Sequence, residues 1–316
     1  MDSDSAGGGS AVVSGRSKRR RNGLRWSLWL LIAAAVLAVS LQGCASSQIR
    51  RAQQQRVHLG DQLFVEGLGT TGNAIVFLPG MMGSTAYWRG AQVSTLTKNN
   101  RLLFVDLLGF GRSPWPNVDY TLENQLGALR RTLESRGAVR NVTIVAHSFG
   151  SIVALHYAAR YPDEVTRLVL FGAPLYASEG EARRRIGTMS PLAGLLVKSR
   201  WSAKAVCLLH NAFMPLAARL APSVRPDIPA AVAHDGALHF WPSLDGSVRV
   251  VIESSGIEPL RVIGARTTFV FGARDTVADI GFIEKLALEN GSQFIRIEGD
   301  HSSYWQTFSS TLISGN

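Results

Sequence analysis

The sequence contains few of the residues that build metal centres. Its two cysteines are Cys44 and Cys207. It has no HExxH motif, no cysteine and histidine spacing typical of metal sites, and no phosphate-binding glycine loop. We therefore expect this chain to carry out chemistry that needs no metal and no cofactor.

The sequence also lacks internal repeats and, after its N-terminal tail, blocks of like charge. The formal net charge is +10, but the basic residues beyond residue 43 are spread through amphipathic segments. This distribution is typical of a solvated surface and argues against nucleic-acid binding. With 316 residues and 46% hydrophobic content, the chain can bury the core of one large domain or two modest ones.

Residues 1–43 differ in composition from the rest of the chain. Six basic residues lie in 16–25, and the sixteen residues 26–41 carry no charge. A basic region followed by an apolar core is typical of a signal peptide, and this core is shorter than a membrane-spanning helix. The sequence LQGC that follows resembles the lipobox of bacterial lipoprotein signal peptides, in which a lipid is attached to the cysteine, here Cys44.

The lipobox resemblance implies a protein attached to a bacterial cell envelope and facing the periplasm or the exterior. Two alternatives stay open, an uncleaved signal anchor and a cysteine that carries no lipid. If Cys44 is lipidated, no disulfide forms within the chain, and we expect Cys207 to be a buried small hydrophobe. The membrane is then a partner through the N-terminal segment.

Short apolar runs alternate with helical spacing from residue 55 onward. Four leucines in 119–137 repeat at intervals of 4, 3 and 4, which places them on one face of a helix. Apolar strands separated by helices predict an α/β fold with a mostly parallel central sheet flanked by helices. Residues 55–67 predict an antiparallel pair at the sheet edge. The predicted core strands are 74–80, 101–106, 142–146, 167–172, 267–272 and 293–297.

Residues 175–264 interrupt this alternation. Their apolar residues have helical spacing, with one plausible strand at Val248–Ser254. So long an excursion favours a helical lid, inserted between the sixth and seventh strands over the carboxyl edge of the sheet, where open α/β sheets bind ligands. The predicted organisation is a signal segment at 1–43, a linker at 44–54, a core at 55–174 and 265–316, and the lid at 175–264.

Ser148 lies at the junction of a predicted strand and a predicted helix that begins at Phe149. Ala146 and Gly150 stand two residues to either side, and small residues let the strand and the helix approach closely enough for a sharp turn. The helix start supplies backbone N–H groups and a positive dipole end beside the hydroxyl. This position is typical of a nucleophile.

These features together resemble the α/β-hydrolase superfamily, in its lid-bearing branch, from about residue 55 to the C-terminus. The sequence AHSFG is similar to the family's G-x-S-x-G, with Ala146 in place of the first glycine. The sequence DLLGFGRSP at 106–114 is similar to the family's D-x-x-G-x-G-x-S loop. The resemblance implies an α/β-hydrolase fold and a serine hydrolase that uses no cofactor.

In this family the catalytic residues occur in the order serine, acid, histidine, and the resemblance implies Ser148, Asp275 and His301. His301 would take the proton of Ser148, and Asp275 would orient the imidazole. Asp275 and His301 each follow a predicted strand, at the same sheet edge as Ser148. Asp300 is the alternative acid, but its position next to His301 disfavours it.

The resemblance also implies an oxyanion hole made by the backbone N–H groups of Met81, in the loop FLPGMMGS, and Phe149. Pro79 replaces the family's histidine in that loop and removes no donor, because the donor is a main-chain group. We expect the histidine before the nucleophile to shape the pocket wall rather than to act as the base. The candidates for the substrate pocket are Met82, Tyr87, Trp88 and His147.

A serine rather than an aspartate at the turn argues against haloalkane dehalogenase and epoxide hydrolase, which resemble this fold. The expected reaction is hydrolysis of a carboxylic ester through an acyl-enzyme, with a small-molecule or lipid-like substrate. Hydrolysis of a carbon–carbon bond and perhydrolysis are alternatives that use the same three residues. A non-catalytic ligand-binding member of the fold is an alternative from another class.

Overall fold

The computed structural model describes residues 45–56, 60–224, 228–254 and 256–314, with isolated positions between 29 and 43. Met1–Ser47 and Gln48–Asn316 form separate compact units, and the second holds everything described below. Most of the predicted signal segment, and Cys44, lie outside the described residues. Among the helices of the described part, none is both long and apolar enough to cross a membrane.

The described part of the second unit is organised around a seven-stranded sheet with the order β1-β3-β2-β4-β5-β6-β7. β1 pairs antiparallel with β3, and the other neighbouring strands pair in parallel. The carboxyl ends of β2 to β7 therefore meet at one edge. The strands are β1 (Val65–Leu68), β2 (Asn73–Leu78), β3 (Asn100–Val105), β4 (Val142–His147), β5 (Val165–Phe171), β6 (Thr267–Gly272) and β7 (Gln293–Ile297).

The central strands are apolar on both faces because both faces are covered. In β2, Val76 and Leu78 belong to one buried cluster, and Ile75 and Phe77 belong to a second cluster on the opposite side. Successive side chains of a strand point to opposite faces, so a strand buried on both sides reads as a continuous apolar run. This is why the sequence located β2 to β6 to within a few residues, whereas the edge strand β7 is only partly buried.

Helices cover the sheet and fill the segment between β5 and β6. In α2, Leu126, Leu129 and Leu133 are buried as their spacing predicted, and the Thr121 hydroxyl caps the helix by accepting from the N–H of Asn124. The helices are α1 (Ala86–Arg89), α2 (Leu122–Ser135), α3 (Phe149–Arg160), α4 (Glu179–Met189), α5 (Pro191–Lys198), α6 (Arg200–Val224), α7 (Ala230–Asp235), α8 (Trp241–Glu253), α9 (Ile257–Ile263), α10 (Ile280–Glu289), α11 (Tyr304–Thr307) and α12 (Thr311–Ser314).

The edge of the sheet differs from the prediction in one respect. Residues 55–67 hold a single strand in their described part, β1, instead of an antiparallel pair. Residues 48–56 are helical, and the Gln53 side chain donates to the carbonyl of Trp115 at 2.9 Å. With one strand fewer, the lid segment 175–264 lies between the fifth and sixth strands, not between the sixth and seventh.

The strand predicted at Val248–Ser254 is wrong, since these residues form the end of α8 and the residue after it. β-Branched residues favour strands only weakly, and tertiary packing overrides that preference. Leu244, Val248 and Val251 are buried at helical spacing. Gly246 lets the helix approach closely, because a Cβ there would lie 2.5 Å from the Cβ of Tyr120.

Candidate active site

Ser148 occupies a strained corner between β4 and α3. Its φ is 50° and its ψ is −122°, a region that residues with a side chain rarely adopt. The backbone N–H of Ser148 donates to the carbonyl of Phe171 at 2.9 Å. Gly150 is required on the helix side, because a Cβ there would lie 2.4 Å from the carbonyl oxygen of Pro79. The corner therefore fixes the direction of the hydroxyl.

The structure brings together the three side chains predicted from the sequence. The Oγ of Ser148 lies 2.8 Å from the Nε2 of His301. The Nδ1 of His301 lies 2.8 Å from the Oδ2 of Asp275. Asp275 follows β6, and His301 follows β7, so both reach the carboxyl edge at which Ser148 stands. An ionised carboxylate only accepts, so Nδ1 carries a proton and Nε2 is left to accept from the serine hydroxyl.

The carboxylate of Asp275 is buried and receives two further hydrogen bonds. The N–H of Val277 donates to its Oδ1 at 2.9 Å, and the hydroxyl of Tyr304 donates to its Oδ2 at 2.6 Å. The Tyr304 oxygen in turn accepts from the N–H of Gly272 at 2.9 Å. Burial acts to raise the pKa of Asp275, but the hydrogen bonds and the charge of His301 outweigh it, and the pKa is lowered. Asp275 is therefore held as an anion.

His147 lies in the cavity wall beside the imidazole of His301. Its Nε2 is 2.7 Å from the backbone carbonyl of His301. A carbonyl only accepts, so this nitrogen carries the proton. The ring of Tyr87 stacks on His147 with centroids 4.6 Å apart. Burial, and then the neighbouring His301, lower the pKa of His147 to about 3, so this side chain is neutral near pH 7. It fixes the backbone that carries His301.

The two candidate oxyanion donors flank Ser148. Phe149 is the first residue of α3, so its N–H has no acceptor within the helix. Met81 lies in the loop after β2, which approaches the serine so closely that a Cβ on Gly80 would be 3.1 Å from the Ser148 Cβ. The N–H of Gly83 donates to the carbonyl of Gly80 at 3.0 Å and closes this loop.

The loop at 106–114 is hydrogen-bonded to the chain segment just before α1. Asp106, the first residue of DLLGFGRSP, is fully buried. Its carboxylate accepts from the N–H of Thr85, just before α1, and from the N–H of Arg112 at 2.7 Å. Burial raises the pKa of Asp106 to about 6. Gly111 lies so close that a Cβ would be 2.3 Å from a carboxylate oxygen. Asp106 therefore has a structural position away from the reacting hydroxyl.

The serine opens into a cavity of about 400 Å³ that lies between the sheet edge and the lid. Met81, Met82, Tyr87 and His147 contribute the wall from the core, as the sequence suggested for the last three. The lid contributes residues that the sequence did not single out. They are His210, Ile228, Val232, Ala233 and Gly236.

Trp88 does not line this cavity, which corrects its prediction as a pocket residue. Its side chain is fully buried between Phe77 and Phe171, and its indole N–H donates to the carbonyl of Leu78 at 2.9 Å. On the short helix α1, Tyr87 and Trp88 belong to the same buried cluster, but of the two only Tyr87 also lines the cavity. Adjacent helical residues point about 100° apart, and no sequence pattern indicated which of the two would face the cavity.

The carboxylate of Asp300 makes a local hydrogen bond and does not serve the imidazole of His301. The Oδ1 of Asp300 accepts from the N–H of Ser302 at 2.8 Å, and the Nδ1 of His301 is occupied by Asp275. Within the described residues, no group of three or more histidine, cysteine or acidic side chains is placed to hold a metal ion. The residue that sequence reasoning missed is Tyr304, because a tyrosine three positions after the histidine carries no motif.

Comparisons with known proteins agree with this architecture. A sequence model of the family described as alpha/beta hydrolase fold matches residues 73–194. A stretch of 107 residues is 38% identical to the probable lysophospholipase BODYGUARD 2 of Arabidopsis thaliana, covering 32% of this chain and 23% of that protein. A stretch of 101 residues is 39% identical to a haloalkane dehalogenase of Agrobacterium fabrum, covering 32% of this chain and 33% of that protein.

A solved structure extends the likeness beyond the matched stretch. The crystal structure of bromoperoxidase from Bacillus anthracis superposes with a TM-score of 0.61 at 22% identity, over 80% of this chain and 94% of that chain. The chain spans a third or less of the length of the two curated relatives described above. The order of the sheet, the strained serine turn and these matches show that the chain has the α/β-hydrolase fold.

Proposed function

We propose that this protein is a serine hydrolase that cleaves carboxylic esters through an acyl-enzyme. The observation that supports the proposal is the continuous hydrogen-bonded path from Ser148 through His301 to Asp275, with both links at 2.8 Å. A serine hydroxyl is a weak nucleophile unless a base removes its proton and a third group orients that base. These three side chains supply all three functions at the mouth of one cavity.

The geometry gives each group a step. As the Ser148 oxygen attacks the carbonyl carbon, His301 takes its proton, and Asp275 stabilises the imidazolium. The backbone N–H groups of Met81 and Phe149 hold the negative oxygen of the tetrahedral intermediate, each contributing about 3 kcal/mol. His301 then protonates the departing alcohol. In the second half, His301 takes a proton from water as the water oxygen attacks the acyl carbon. His301 then returns that proton to the Ser148 oxygen as the bond to the acyl group breaks and the acid leaves.

The substrate class follows from the cavity wall. Met81, Met82, Ile228 and Val232 present apolar surface next to the serine, which favours an acyl chain or another lipid-like group over a sugar or a nucleotide. The sequence likeness to a probable lysophospholipase is in keeping with such an ester. Ser148 also distinguishes this site from one that forms an ester through a carboxylate, as the haloalkane dehalogenase mechanism does.

Labelling with a fluorophosphonate probe tests the proposal directly. We expect the probe to attach to the peptide that contains Ser148, as identified by mass spectrometry. Labelling should vanish in Ser148→Ala and persist in Ser151→Ala, a matched control whose buried hydroxyl bonds only to backbone carbonyls. A folded protein that is not labelled would contradict the proposal and favour a non-catalytic binding protein of this fold.

An ester panel separates ester cleavage from the reactions that share the triad. We expect the protein to hydrolyse nitrophenyl esters of increasing chain length and to release one equivalent of acid for each ester cleaved. Efficient formation of a peracid from hydrogen peroxide, or cleavage of a dienone with no ester turnover, would instead assign perhydrolysis or carbon–carbon hydrolysis.

We further propose attachment to a bacterial cell envelope through the N-terminal segment, with Cys44 as the lipidated residue. The support is the order of basic, apolar and cysteine residues in the sequence. Metabolic labelling with a palmitate analogue should mark the protein, and Cys44→Ala should abolish the label. A labelled Cys44→Ala protein would contradict this assignment, and an unlabelled native protein would favour the uncleaved anchor.

A further inference from the structure

Helix α6 of the lid carries large apolar side chains on its outer side. Trp201 is 86% exposed, Leu209 56%, Phe213 54% and Leu220 57%. A surface helix of a globular protein normally buries its apolar stripe and shows polar residues to water. Contiguous exposed apolar patches mark interaction sites. The outer side of α6 therefore needs an explanation that packing within the described part of the chain does not provide.

The exposed residues share one face of the helix. At about 100° per residue, positions 201, 209, 213 and 220 fall within about 120° of one another. The opposite side faces the protein, because Ala203, Cys207 and Asn211 are each almost fully buried. His210, which lines the cavity, lies on that inner side. Within the described residues, the inner side of α6 is therefore covered by the protein, whereas its apolar outer side is exposed to solvent.

The preceding helix continues the exposed surface. Leu192 and Leu195 of α5 are 58% and 39% exposed and stand three positions apart. Ser199 joins the two helices at a one-residue corner and caps α6 by accepting from the N–H of Ser202 at 3.1 Å. The Ser202 hydroxyl donates back to the carbonyl of Leu195 at 2.7 Å, so the end of α5 is tied to the start of α6.

The charge of this region has one sign. The segment 190–226 contains no aspartate and no glutamate, while its basic residues are Lys198, Arg200, Lys204, Arg219 and Arg225. Lys198, Lys204 and Arg219 are exposed, and helical spacing places Lys204 and Arg219 along one border of the apolar face. Arg200 pairs with Asp245 of α8 at 3.2 Å. Apolar residues flanked by exposed lysine and arginine are typical of helices that lie in the interface of an anionic membrane.

We propose that this face, made of Leu192, Leu195, Trp201, Leu209, Phe213 and Leu220, docks onto an anionic lipid surface. The charge complementarity selects lipid over a second copy of the chain, since two identical basic faces repel each other. Each basic residue near an anionic bilayer contributes about 1 kcal/mol, and the apolar side chains add the free energy of their burial. This contact is separate from any attachment at the N-terminus and does not depend on the chemistry of Ser148.

The experiment uses the full chain reconstituted into vesicles, with Trp201 as the probe. Vesicles with brominated acyl chains quench tryptophans that reach the bilayer. Trp26 and Trp29 are present in both proteins, so the difference in quenching between the native chain and Trp201→Phe isolates Trp201. We expect that difference with vesicles containing phosphatidylglycerol and expect it to be small with phosphatidylcholine alone. No difference on anionic vesicles would overturn the proposal.

Two matched pairs sharpen the result. Leu209→Glu should abolish the Trp201 quenching, whereas Leu288→Glu, at an exposed leucine of α10 outside the face, should leave it intact. Lys204→Gln should lower the ratio of docked to undocked lid about fivefold. Far-UV circular dichroism confirms that each variant folds. If Leu209→Glu instead dissolves a dimer seen by sedimentation without lipid, the face is a self-association surface, and lipid docking is wrong.

Discussion

The carboxyl edge of the sheet and the lid hold their side chains in opposite ways. At the sheet edge, the polar atoms of Ser148, His301, Asp275 and Tyr304 form one hydrogen-bonded chain that ends on the backbone N–H of Gly272. In the lid, large apolar side chains such as Trp201 stand in solvent. A connected polar network in a buried place rigidifies its members, whereas an exposed apolar face is adapted to a partner.

The reacting groups lie on the core, and the lid supplies part of the cavity wall and an exposed outer face. The core fixes reacting groups to within a hydrogen-bond length and tolerates little change. Lid residues such as Val232 line the cavity, so substitutions there should alter substrate selectivity more than turnover. Substitutions on the exposed outer face of the lid should alter docking more than turnover.

Removing the imidazole of His301 at the sheet edge should cause the greatest loss of activity. His301→Ala should lower kcat for an activated short-chain ester by about 10⁴- to 10⁶-fold, because the serine loses its base. His210→Ala is the matched control, since that imidazole lines the same cavity from the lid. It should change kcat by less than about tenfold. Comparable losses in both variants, measured by stopped-flow or steady-state hydrolysis, would remove the distinction between core and lid.

Tyr304→Phe should have the next largest effect, through Asp275. The variant keeps the ring and loses the hydroxyl that donates to the carboxylate and accepts from Gly272. Hydrogen bonds to a charged group contribute about 1.5–3 kcal/mol, so kcat/KM should fall by about tenfold or more. The pKa of Asp275 should rise, because a donor to its charged form is lost.

The sign of the pH effect distinguishes positioning from mere packing. The lowered pKa of Asp275 stabilises the folded protein above the unfolded value of the carboxyl group, and this stability is lost as the pH falls. In Tyr304→Phe both the acid unfolding midpoint and the acid limb of the rate profile should move to higher pH. Tyr176→Phe removes a buried hydroxyl that donates to the nearby carbonyl of Val277 and should leave both unchanged. Equal shifts in the two variants would count against a role for Tyr304.

Gly172→Ala should disturb the site by crowding. Gly172 has a φ of 54°, and a Cβ there would lie 2.8 Å from the Tyr304 ring, 2.9 Å from the Asp275 Oδ2 and 3.1 Å from the His301 Nδ1. Gly137→Ala is the control, because Gly137 has a φ of 61° with no atom within 4 Å of the added Cβ. The control should lose about 1–2 kcal/mol of stability and no activity.

The crowded variant should lose more than the control in both measurements. Thermal unfolding reports the strain common to both glycines, and the difference between the variants isolates the contact with the three side chains. An active, equally stable Gly172→Ala protein would mean that the sheet edge yields more readily than its hydrogen bonds indicate.

The sequence predicted the core better than the lid for a physical reason. Strands buried on both faces leave an unbroken apolar run, so β2 to β6 were located closely. Ser148, Asp275 and His301 each follow a strand end, and the resemblance to the α/β-hydrolase superfamily supplied their order of serine, acid and histidine. The helix over Val248–Glu253 was missed because it packs against Tyr120 and neighbouring helices, contacts that no local pattern contains.

Side-chain facing and long-range hydrogen bonds also lay beyond the sequence. Trp88 and Tyr87 are neighbours on a short helix, and only the packing of Phe77 and Phe171 decides that the indole turns away from the cavity. The bond from His147 to the carbonyl of His301 spans 154 positions of the chain. The hydrogen bonds of the Tyr304 hydroxyl likewise depend on how α11 packs against the end of β6.

The weakest change we expect concerns the inner side of the lid, where Cys207 is buried. Burial, and then the charge of Asp245, raise the pKa of Cys207 to about 12, and its sulfur lies 3.2 Å from the Nε2 of His239. At pH 8 about one thiol in 10⁴ is then ionised, and the thiolate is the reactive form.

Iodoacetamide should therefore leave the Cys207 peptide unmodified in the native protein and alkylate it in urea, as read by mass spectrometry. Rapid alkylation under native conditions would show that α6 separates from the core, which would make the lid a mobile element and its outer face a transient surface. Cys207→Ser should leave ester turnover within about twofold, because the thiol contacts the lid interior and not the reacting atoms.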